Sequence, residues 1–239
     1  MVMPQVLQPQ ILNKEVVFMK KIVVAIDGPA GAGKSTIAKL VGEKLGYAYI
    51  DTGAMYRSVT WKFLGTGEAF DEAFIGALSN KMIIEFKPEA KVNRVFVDGT
   101  EVTDAIRTPE VTANVSRVAA IGAVREAMVD QQRRMGEIGG IIMDGRDIGT
   151  VVFPNAELKI FLTASVEERA SRRFKEIIAK GQECDLEQLK QEIAARDKAD
   201  SEREISPLKQ ADDAVLLDSS DMTIDEVVQT ILKMVEERL

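Results

Sequence analysis

The sequence contains no histidine and only one cysteine, Cys184. The lack of histidine excludes imidazole catalysis and any metal site that depends on imidazole ligands. A single cysteine cannot form a disulfide within the chain, and it is typical of a protein in a reducing cytoplasm. Any chemistry must therefore depend on carboxylates, lysine, arginine and a bound cation.

Long apolar runs are also missing, because no stretch approaches the ~20 residues that a membrane-spanning helix needs. Residues 1–19 lack the charged and then apolar build of a signal peptide, and we expect a flexible N-terminal extension there. The formal net charge of −7 over 239 residues disfavours a general nucleic-acid binder. We therefore expect neither a membrane nor a nucleic acid as a partner.

A glycine-rich loop is the clearest motif in the chain. Residues 28–35 read Gly-Pro-Ala-Gly-Ala-Gly-Lys-Ser and fill every fixed position of the phosphate-binding pattern G-x-x-x-x-G-K-S. The apolar run 21–26 before it predicts a buried strand, and apolar residues at helical spacing over 37–45 predict a helix after it. This context favours a polyphosphate site over an ordinary glycine-rich turn. Lys34 is expected to reach the β and γ phosphates, and Ser35 to ligate Mg²⁺.

A second apolar run, 140–143, ends in Asp144-Gly145-Arg146-Asp147. An aspartate at the end of a buried strand is typical of the Walker B position, where the carboxylate holds Mg²⁺ through water. Two further charges at the same strand end are hard to explain by packing, because buried unpaired charges are costly. We expect Asp144 and Ser35 to be the metal residues.

Three other segments concentrate arginine and hydroxyl groups. After a predicted strand at 48–50, Thr52 and Tyr56 offer hydroxyls to a sugar or phosphate, and Arg57 offers a planar cation. Arg169 and Arg173 lie four residues apart and share one helix face, as expected of a lid that brings guanidinium groups to a transferring phosphoryl group.

Arg196, Asp200 and Arg203 share another face if their helix persists. For each of these segments, taken alone, an ordinary solvated helix face is the alternative.

Predicted strands and helices alternate along the chain, which favours a parallel sheet covered on both faces. Between residues 81 and 103 the pattern changes to short apolar runs with an Asp98-Gly99 turn, which predicts a small antiparallel sheet. The predicted fold class is α/β. It is a P-loop three-layer sandwich with a parallel core sheet, helices on both faces, and an inserted substrate-binding subdomain with a small antiparallel sheet.

The combined motifs resemble those of bacterial cytidylate kinases, which are nucleoside monophosphate kinases. The matching stretches are IDGPAGAGKST (26–36), DTGAMYR (51–57), the region 107–126, DGRDIGTVVFP (144–154), residues 159–173 and RDKADSER (196–203). They are distributed along the chain from residue 26 to residue 203. Thr52 stands where serine is also common, and Ala199 stands where an additional arginine can occur.

The resemblance implies Mg²⁺-assisted phosphoryl transfer from ATP to CMP and dCMP, giving CDP and dCDP. The expected ATP-binding residues are Gly28, Pro29, Ala30, Gly31, Ala32, Gly33, Lys34, Ser35 and Thr36. The expected substrate-binding residues are Thr52, Tyr56, Arg57, Ser116, Arg125, Arg146, Asp147, Arg196, Asp200 and Arg203. The expected catalytic residues are Lys34, Arg146, Arg169 and Arg173.

Within the implied acceptor site, the phosphate, the pentose and the base have separate partners. Arg57 and Arg146 would bind the CMP phosphate, while Thr52, Arg196 and Asp200 would contact the pentose. Ser116, Arg125, Asp147 and Arg203 would line the cytosine pocket. Asp147 could accept a hydrogen bond from the cytosine amino group, whereas uracil would present a carbonyl there, a mispairing that costs about 1–3 kcal/mol.

The resemblance also implies one kinase domain over residues 20–239. Its core would comprise residues 20–53, 137–164 and 205–239, with a nucleoside-monophosphate-binding insertion at about 54–136 and a lid region at about 165–204. We expect a cytoplasmic monomer.

Two other functions compete with this one. The first is another small P-loop kinase, such as one that prefers UMP. The second is a GTP-binding switch protein, which is disfavoured because the sequence has no D-x-x-G motif and Asn80-Lys81 does not continue as N-K-x-D.

Overall fold

The computed structural model describes residues 21–89, 92–179 and 181–239. The predicted extension, residues 1–19, lies outside the described residues. In the part of the chain that is described, no helix is long and apolar enough to cross a membrane.

Helices and strands alternate along most of the described chain. In chain order they are β1 (Val23–Asp27), α1 (Lys34–Leu45), β2 (Ala48–Asp51), α2 (Thr52–Leu64), α3 (Glu72–Ser79), β3 (Ile84–Glu89), β4 (Val92–Val97), β5 (Thr100–Glu101), α4 (Pro109–Ala119), α5 (Gly122–Gly136), β6 (Ile141–Gly145), β7 (Leu158–Thr163), α6 (Val166–Ala179), α7 (Leu186–Glu202), β8 (Val215–Asp218) and α8 (Ile224–Glu236). A 3₁₀ turn spans Ala105–Arg107 and a π-helical turn spans Ile148–Val152.

Five strands form a parallel sheet in the order β2-β6-β1-β7-β8. Because the strands are parallel, their carboxyl ends meet at one edge, where ligands bind in open α/β sheets. The register places Asp51 opposite Asp144 and Asp27 opposite Gly145 at that edge. The topology therefore gathers carboxylates from three strands beside the glycine-rich loop that follows β1.

Each face of the sheet has its own apolar core. Ile142 packs with residues of α1 and α8, whereas its neighbour Met143 packs with residues of α2, α4 and α5. Adjacent residues of a strand point to opposite faces, so this division is expected of a sheet covered on both sides. The predicted three-layer α/β sandwich is confirmed.

The smaller sheet is antiparallel, in the order β3-β4-β5. The two residues between β4 and β5, Asp98 and Gly99, both have positive φ angles, 49° and 81°. Such a loop suits the right-handed twist of a hairpin. The predicted antiparallel insertion is confirmed. All five strands of the large sheet lie in the segments assigned to the core, and the boundaries of the core, insertion and lid stay a prediction.

The spacing of Ser165 and Glu168 predicts a capping box at the start of α6, and the structure forms only its first half. The Ser165 hydroxyl accepts the Glu168 N–H at 3.1 Å. The Glu168 carboxylate instead accepts Arg172 Nε at 2.9 Å, and the Ser165 N–H donates to Ser220 Oγ at 3.1 Å. A partner one turn along the same helix and a partner from a distant segment have replaced the second half of the local motif.

Candidate active site

The loop after β1 has the backbone of a phosphate cradle. Gly28, Gly31 and Gly33 have φ angles of 148°, 76° and 86°, a region that side-chain-bearing residues rarely adopt. At Gly28 a Cβ would lie 2.0 Å from the carbonyl oxygen of Leu162, so only glycine fits there. Helix α1 begins at Lys34 with no side-chain cap. Its first N–H groups are therefore available to an anion.

Lys34 is buried at the end of this loop, and its Nζ donates to the Pro29 carbonyl at 2.7 Å. Burial and the charge of Arg146 lower the pKa of Lys34 to about 7, against the opposing effect of Asp144 and Asp27. An anion bound in the loop would favour the charged form. The geometry therefore suits a lysine that contacts a polyphosphate.

The two predicted metal residues lie in contact. Ser35 Oγ donates to Asp144 Oδ2 at 3.0 Å, and Tyr49 OH donates to Asp144 Oδ1 at 2.9 Å. Burial and the nearby charge of Asp51 raise the pKa of Asp144 to about 6. A cation would reverse that effect, and hydroxyl and carboxylate oxygens are ligands that Mg²⁺ prefers. Both residues fit a magnesium site, and their role stays a prediction.

Asp27 is a further buried carboxylate at this edge, and the sequence motifs do not identify it. It accepts the N–H groups of Ile148 and Gly149 at 2.8 and 2.7 Å, within the π-helical turn that follows Asp147. Burial raises the pKa of Asp27 to about 7, against the opposing effect of these two hydrogen bonds. Asp27 thus ties β1 to the segment that carries Asp147. A charge that ends a buried strand, as Asp144 does, is the signal that points to it.

Three of the four predicted base-recognition residues, Arg125, Asp147 and Arg203, lie close together. Asp147 is 3% exposed and accepts a hydrogen bond from Arg125 Nη2, while Arg203 Nη2 lies 3.9 Å from its other oxygen. Arg125 also donates to the carbonyl of Ala119, the last residue of α4, at 3.1 Å. Ser116 lies half-buried on the same helix. The structure therefore gathers a carboxylate and two guanidinium groups around one buried point.

Tyr56 lies against this group, since its ring centre is 5.2 Å from Arg125 Cζ. Its hydroxyl is buried and has no hydrogen-bond partner within the described part of the chain. Burial raises the pKa of Tyr56 to about 12. The structure thus places Tyr56 beside Arg125 and Asp147, where its free hydroxyl could meet a ligand.

A second cationic group surrounds Arg57, whose Nη1 donates to Thr112 Oγ1 at 2.8 Å. Burial and the charges of Arg196 and Arg107 together lower the pKa of Arg57 to about 10. Burial and the charge of Arg146 also lower the pKa of Arg196. Guanidinium groups crowded in this way are unfavourable without an anion between them. The cluster therefore has the electrostatics of a phosphate site.

Two of the three predicted pentose residues, Asp200 and Thr52, have internal partners, whereas Arg196 Nε is buried without a hydrogen-bond partner in the described part of the chain. Asp200 Oδ2 accepts Arg146 Nε at 2.8 Å, and Thr52 Oγ1 donates to the Asp144 carbonyl at 2.7 Å. The proton of Thr52 is engaged, so its hydroxyl oxygen can only accept from a ligand in this state. Their contacts with a pentose stay a prediction.

The chain matches a family model over residues 24–237, and that family is described as cytidylate kinase. This chain belongs to the cytidylate kinase family. The cytidylate kinase of Exiguobacterium sibiricum is 58% identical over 222 residues, which cover 92% of this chain and 100% of that protein. The cytidylate kinase of Listeria innocua is 57% identical over 221 residues, covering 92% of this chain and 98% of that protein. The family predicted from the motifs is confirmed.

Among solved structures, an uncharacterized protein from Eubacterium ventriosum has a similar fold. The TM-score is 0.52 at 12% identity, over 92% of this chain and 100% of that one. This similarity supports the fold alone.

The two lid arginines expected in a cytidylate kinase site lie in different surroundings. Arg169 is buried, and its guanidinium donates to the carbonyls of Ala164 and Ala30 at 2.8 and 2.9 Å and to Asp197 Oδ2 at 2.5 Å. Arg173 is half-exposed and pairs with Glu176 at 3.0 Å. Arg169 thus lies on the phosphate loop itself, whereas Arg173 is half-exposed and its charge is among those that lower the pKa of Arg57 and Arg196. The catalytic role of each stays a prediction.

Arg107 is another residue that the motifs do not single out. Its Nη2 donates to Asp51 Oδ2 at 2.8 Å, and its charge lowers the pKa of Arg57. Its position at the start of the matching stretch 107–126 is the only sequence signal for it.

Proposed function

We propose that this chain transfers the γ-phosphoryl group of ATP to the phosphate of CMP and dCMP, producing CDP and dCDP. The observation that carries the proposal is the position of Arg146. It lies two residues after Asp144, which accepts a hydrogen bond from Ser35 of the donor loop at 3.0 Å. The Nε of Arg146 donates to Asp200 of α7 on the acceptor side at 2.8 Å. Its charge also lowers the pKa of Lys34 and of Arg196. One guanidinium therefore stands between two anion-binding centres, as transfer between two phosphates requires.

The chemistry needs no strong base, because the acceptor phosphate is already an anion at neutral pH. A chain without histidine is well suited to such a reaction. The protein's contribution is to align the two phosphates and to stabilise the negative charge that spreads over the transferring group. Lys34 and Arg146 do this from the two sides, and Arg169 and Arg173 belong to the segment expected to exclude water.

Ser35 and Asp144 would hold the Mg²⁺ that accompanies ATP, because their oxygens lie 3.0 Å apart beside the start of α1. When bound, the ion neutralises part of the charge of the donor phosphates. Tyr49 donates a hydrogen bond to Oδ1 of Asp144 and so fixes the orientation of the carboxylate, whose Oδ2 lies beside Ser35.

The preference for cytosine over uracil would come from Asp147. Its carboxylate is held by Arg125 and can accept a hydrogen bond from an amino group, whereas the carbonyl of uracil would face it unfavourably. A kinase that prefers UMP would need a donor at this position, which makes the UMP alternative weaker. We also propose that the enzyme acts as a cytoplasmic monomer without nucleic-acid partners.

A coupled ADP-release assay with ATP and a panel of CMP, dCMP, UMP and AMP tests the proposal. We expect efficient turnover with CMP and dCMP and at least 10-fold lower kcat/KM with UMP, because one mispaired polar group has an effect of that size. The variant Lys34→Ala provides the background rate. Equal or better turnover of UMP or AMP would contradict the assignment of cytosine.

A further inference from the structure

Helix α7 reaches the acceptor side of the site through two residues. Asp200 accepts a hydrogen bond from Arg146 at 2.8 Å. The charge of Arg146 lowers the pKa of Arg196, and the charge of Arg196 lowers the pKa of Arg57. These two residues are expected to contact the pentose. Any movement of α7 would therefore change the acceptor site.

The same turn of α7 also contacts the donor loop, through Asp197. One carboxylate oxygen of Asp197 accepts the backbone N–H of Ala30 at 3.2 Å, and the other accepts Arg169 Nη1 at 2.5 Å. Ala30 is the third residue of the glycine-rich loop. Asp197 thus links a helix of the acceptor side to the backbone that cradles the donor phosphates.

Arg169 closes this contact into a ring. The same Nη1 that donates to Asp197 also donates to the Ala30 carbonyl at 2.9 Å, and Nε is held by the Ala164 carbonyl at 2.8 Å. The side chains of Arg169 and Asp197 are only 5% and 19% exposed. Charge-assisted hydrogen bonds in such a partly buried setting are stronger and more directional than those at the surface. The ring therefore fixes both the guanidinium and the loop.

We propose that Asp197 is a positioning residue that couples nucleotide binding in the donor loop to the placement of α7 over the acceptor. The proposal rests on the proposed function for the identity of the two ligands. ATP fills the loop and holds the Ala30 peptide in place, Asp197 and Arg169 dock on that peptide, and α7 brings Arg196 and Asp200 to the acceptor. Asp197 contacts neither reacting phosphate in this arrangement.

Hydrogen–deuterium exchange tests the coupling without any turnover. The peptide covering residues 196–203 is followed in the full-length protein with and without a non-hydrolysable ATP analogue. We expect the analogue to slow exchange in the wild type. In Asp197→Ala this protection should fall roughly 10- to 100-fold, the range for the loss of a charge-assisted hydrogen bond. Asp197→Asn should be intermediate, because its amide can accept from Ala30 but carries no charge for Arg169.

Glu192→Gln is the matched control, since it removes one negative charge from an exposed position of the same helix. It should behave as the wild type. Equal protection in Asp197→Ala and the wild type would overturn the proposal. The proposal would also be overturned if Asp197→Ala lowered the melting temperature but left the slowing of exchange by the analogue unchanged. In the kinetic assay, Asp197→Ala should lower kcat for CMP more than it raises KM for ATP. A wild type inactive on every monophosphate would contradict the proposed function alone, because the exchange experiment contains no acceptor.

Discussion

Replacing Asp147 by asparagine is the sharpest test of how the base is recognised. The side chain keeps its shape but loses its charge, and an amide can donate as well as accept. It can therefore meet either the amino group of cytosine or the carbonyl of uracil. We expect the ratio of kcat/KM for CMP to that for UMP to fall about 10- to 100-fold, because the discrimination by one mispaired group is about 1–3 kcal/mol.

The structure also predicts a cost in stability. Arg125 is 2% exposed and its main charged partner is Asp147. Asparagine still offers an oxygen to Arg125, so we expect a loss of about 1–3 kcal/mol in the free energy of unfolding. The variant Asp147→Ala would leave the guanidinium of Arg125 buried and unpaired, and we expect it to lower the free energy of unfolding by about 3–5 kcal/mol. Asparagine is therefore the better variant.

The assay measures both substrates with one preparation of enzyme, so the ratio is independent of the fraction that is folded. Asp130→Asn serves as a control, because Asp130 is an exposed carboxylate paired with Arg134 on α5. Its ratio should equal that of the wild type. A ratio in Asp147→Asn within twofold of the wild type, with both rates lowered together, would refute the role of Asp147 in choosing the base.

Three further perturbations follow from the donor side of the site. Lys34→Ala should lower kcat about 10³-fold or more, with an unchanged circular dichroism spectrum, because the lysine acts on the phosphates. Gly28→Ala should lower the free energy of unfolding, measured in urea, by about 2–4 kcal/mol, because the added Cβ would lie 2.0 Å from the carbonyl oxygen of Leu162. Asp27 has its pKa raised from 3.8 to about 7, so its folded form holds a proton that the unfolded chain releases. The contribution of Asp27 to stability should therefore be fully present below pH 4 and be lost as the pH rises to 7. Over that range the free energy of unfolding should fall by on the order of 1 kcal/mol per pH unit.

Each of these has its own check. For Lys34→Ala, turnover near that of the wild type would remove the loop from the mechanism. For Gly28→Ala, the matched substitution is Gly67→Ala, where φ is also positive but no atom lies within 4 Å of the added Cβ. Equal losses in the two variants would mean that backbone strain alone explains the effect. For Asp27, the pH dependence of stability should be flatter in Asp27→Asn, and parallel curves would show that another group titrates.

Much of the fold could be predicted because its signals are local. The positive φ angles of Gly31 and Gly33 are conformations that glycine adopts at little cost, so the loop is visible in the sequence. Thr223 and Glu226 form the capping box at the start of α8 that their spacing predicts. The half-formed box at Ser165 shows where this reasoning ends, since a partner from a distant segment competes for the same group.

The sequence by itself determined the phosphate loop, the parallel α/β sandwich and the family, because glycine conformation, apolar periodicity and motif spacing act over a few residues. Tertiary structure alone decided how the charges pair. Asp197 and Ala30 are 167 positions apart and Arg169 and Asp197 are 28 apart, and nothing in the spacing of these residues predicts that they meet. Ion pairs depend on distances of a few ångströms between side chains, and only the packing of α6 and α7 against the sheet edge fixes those distances.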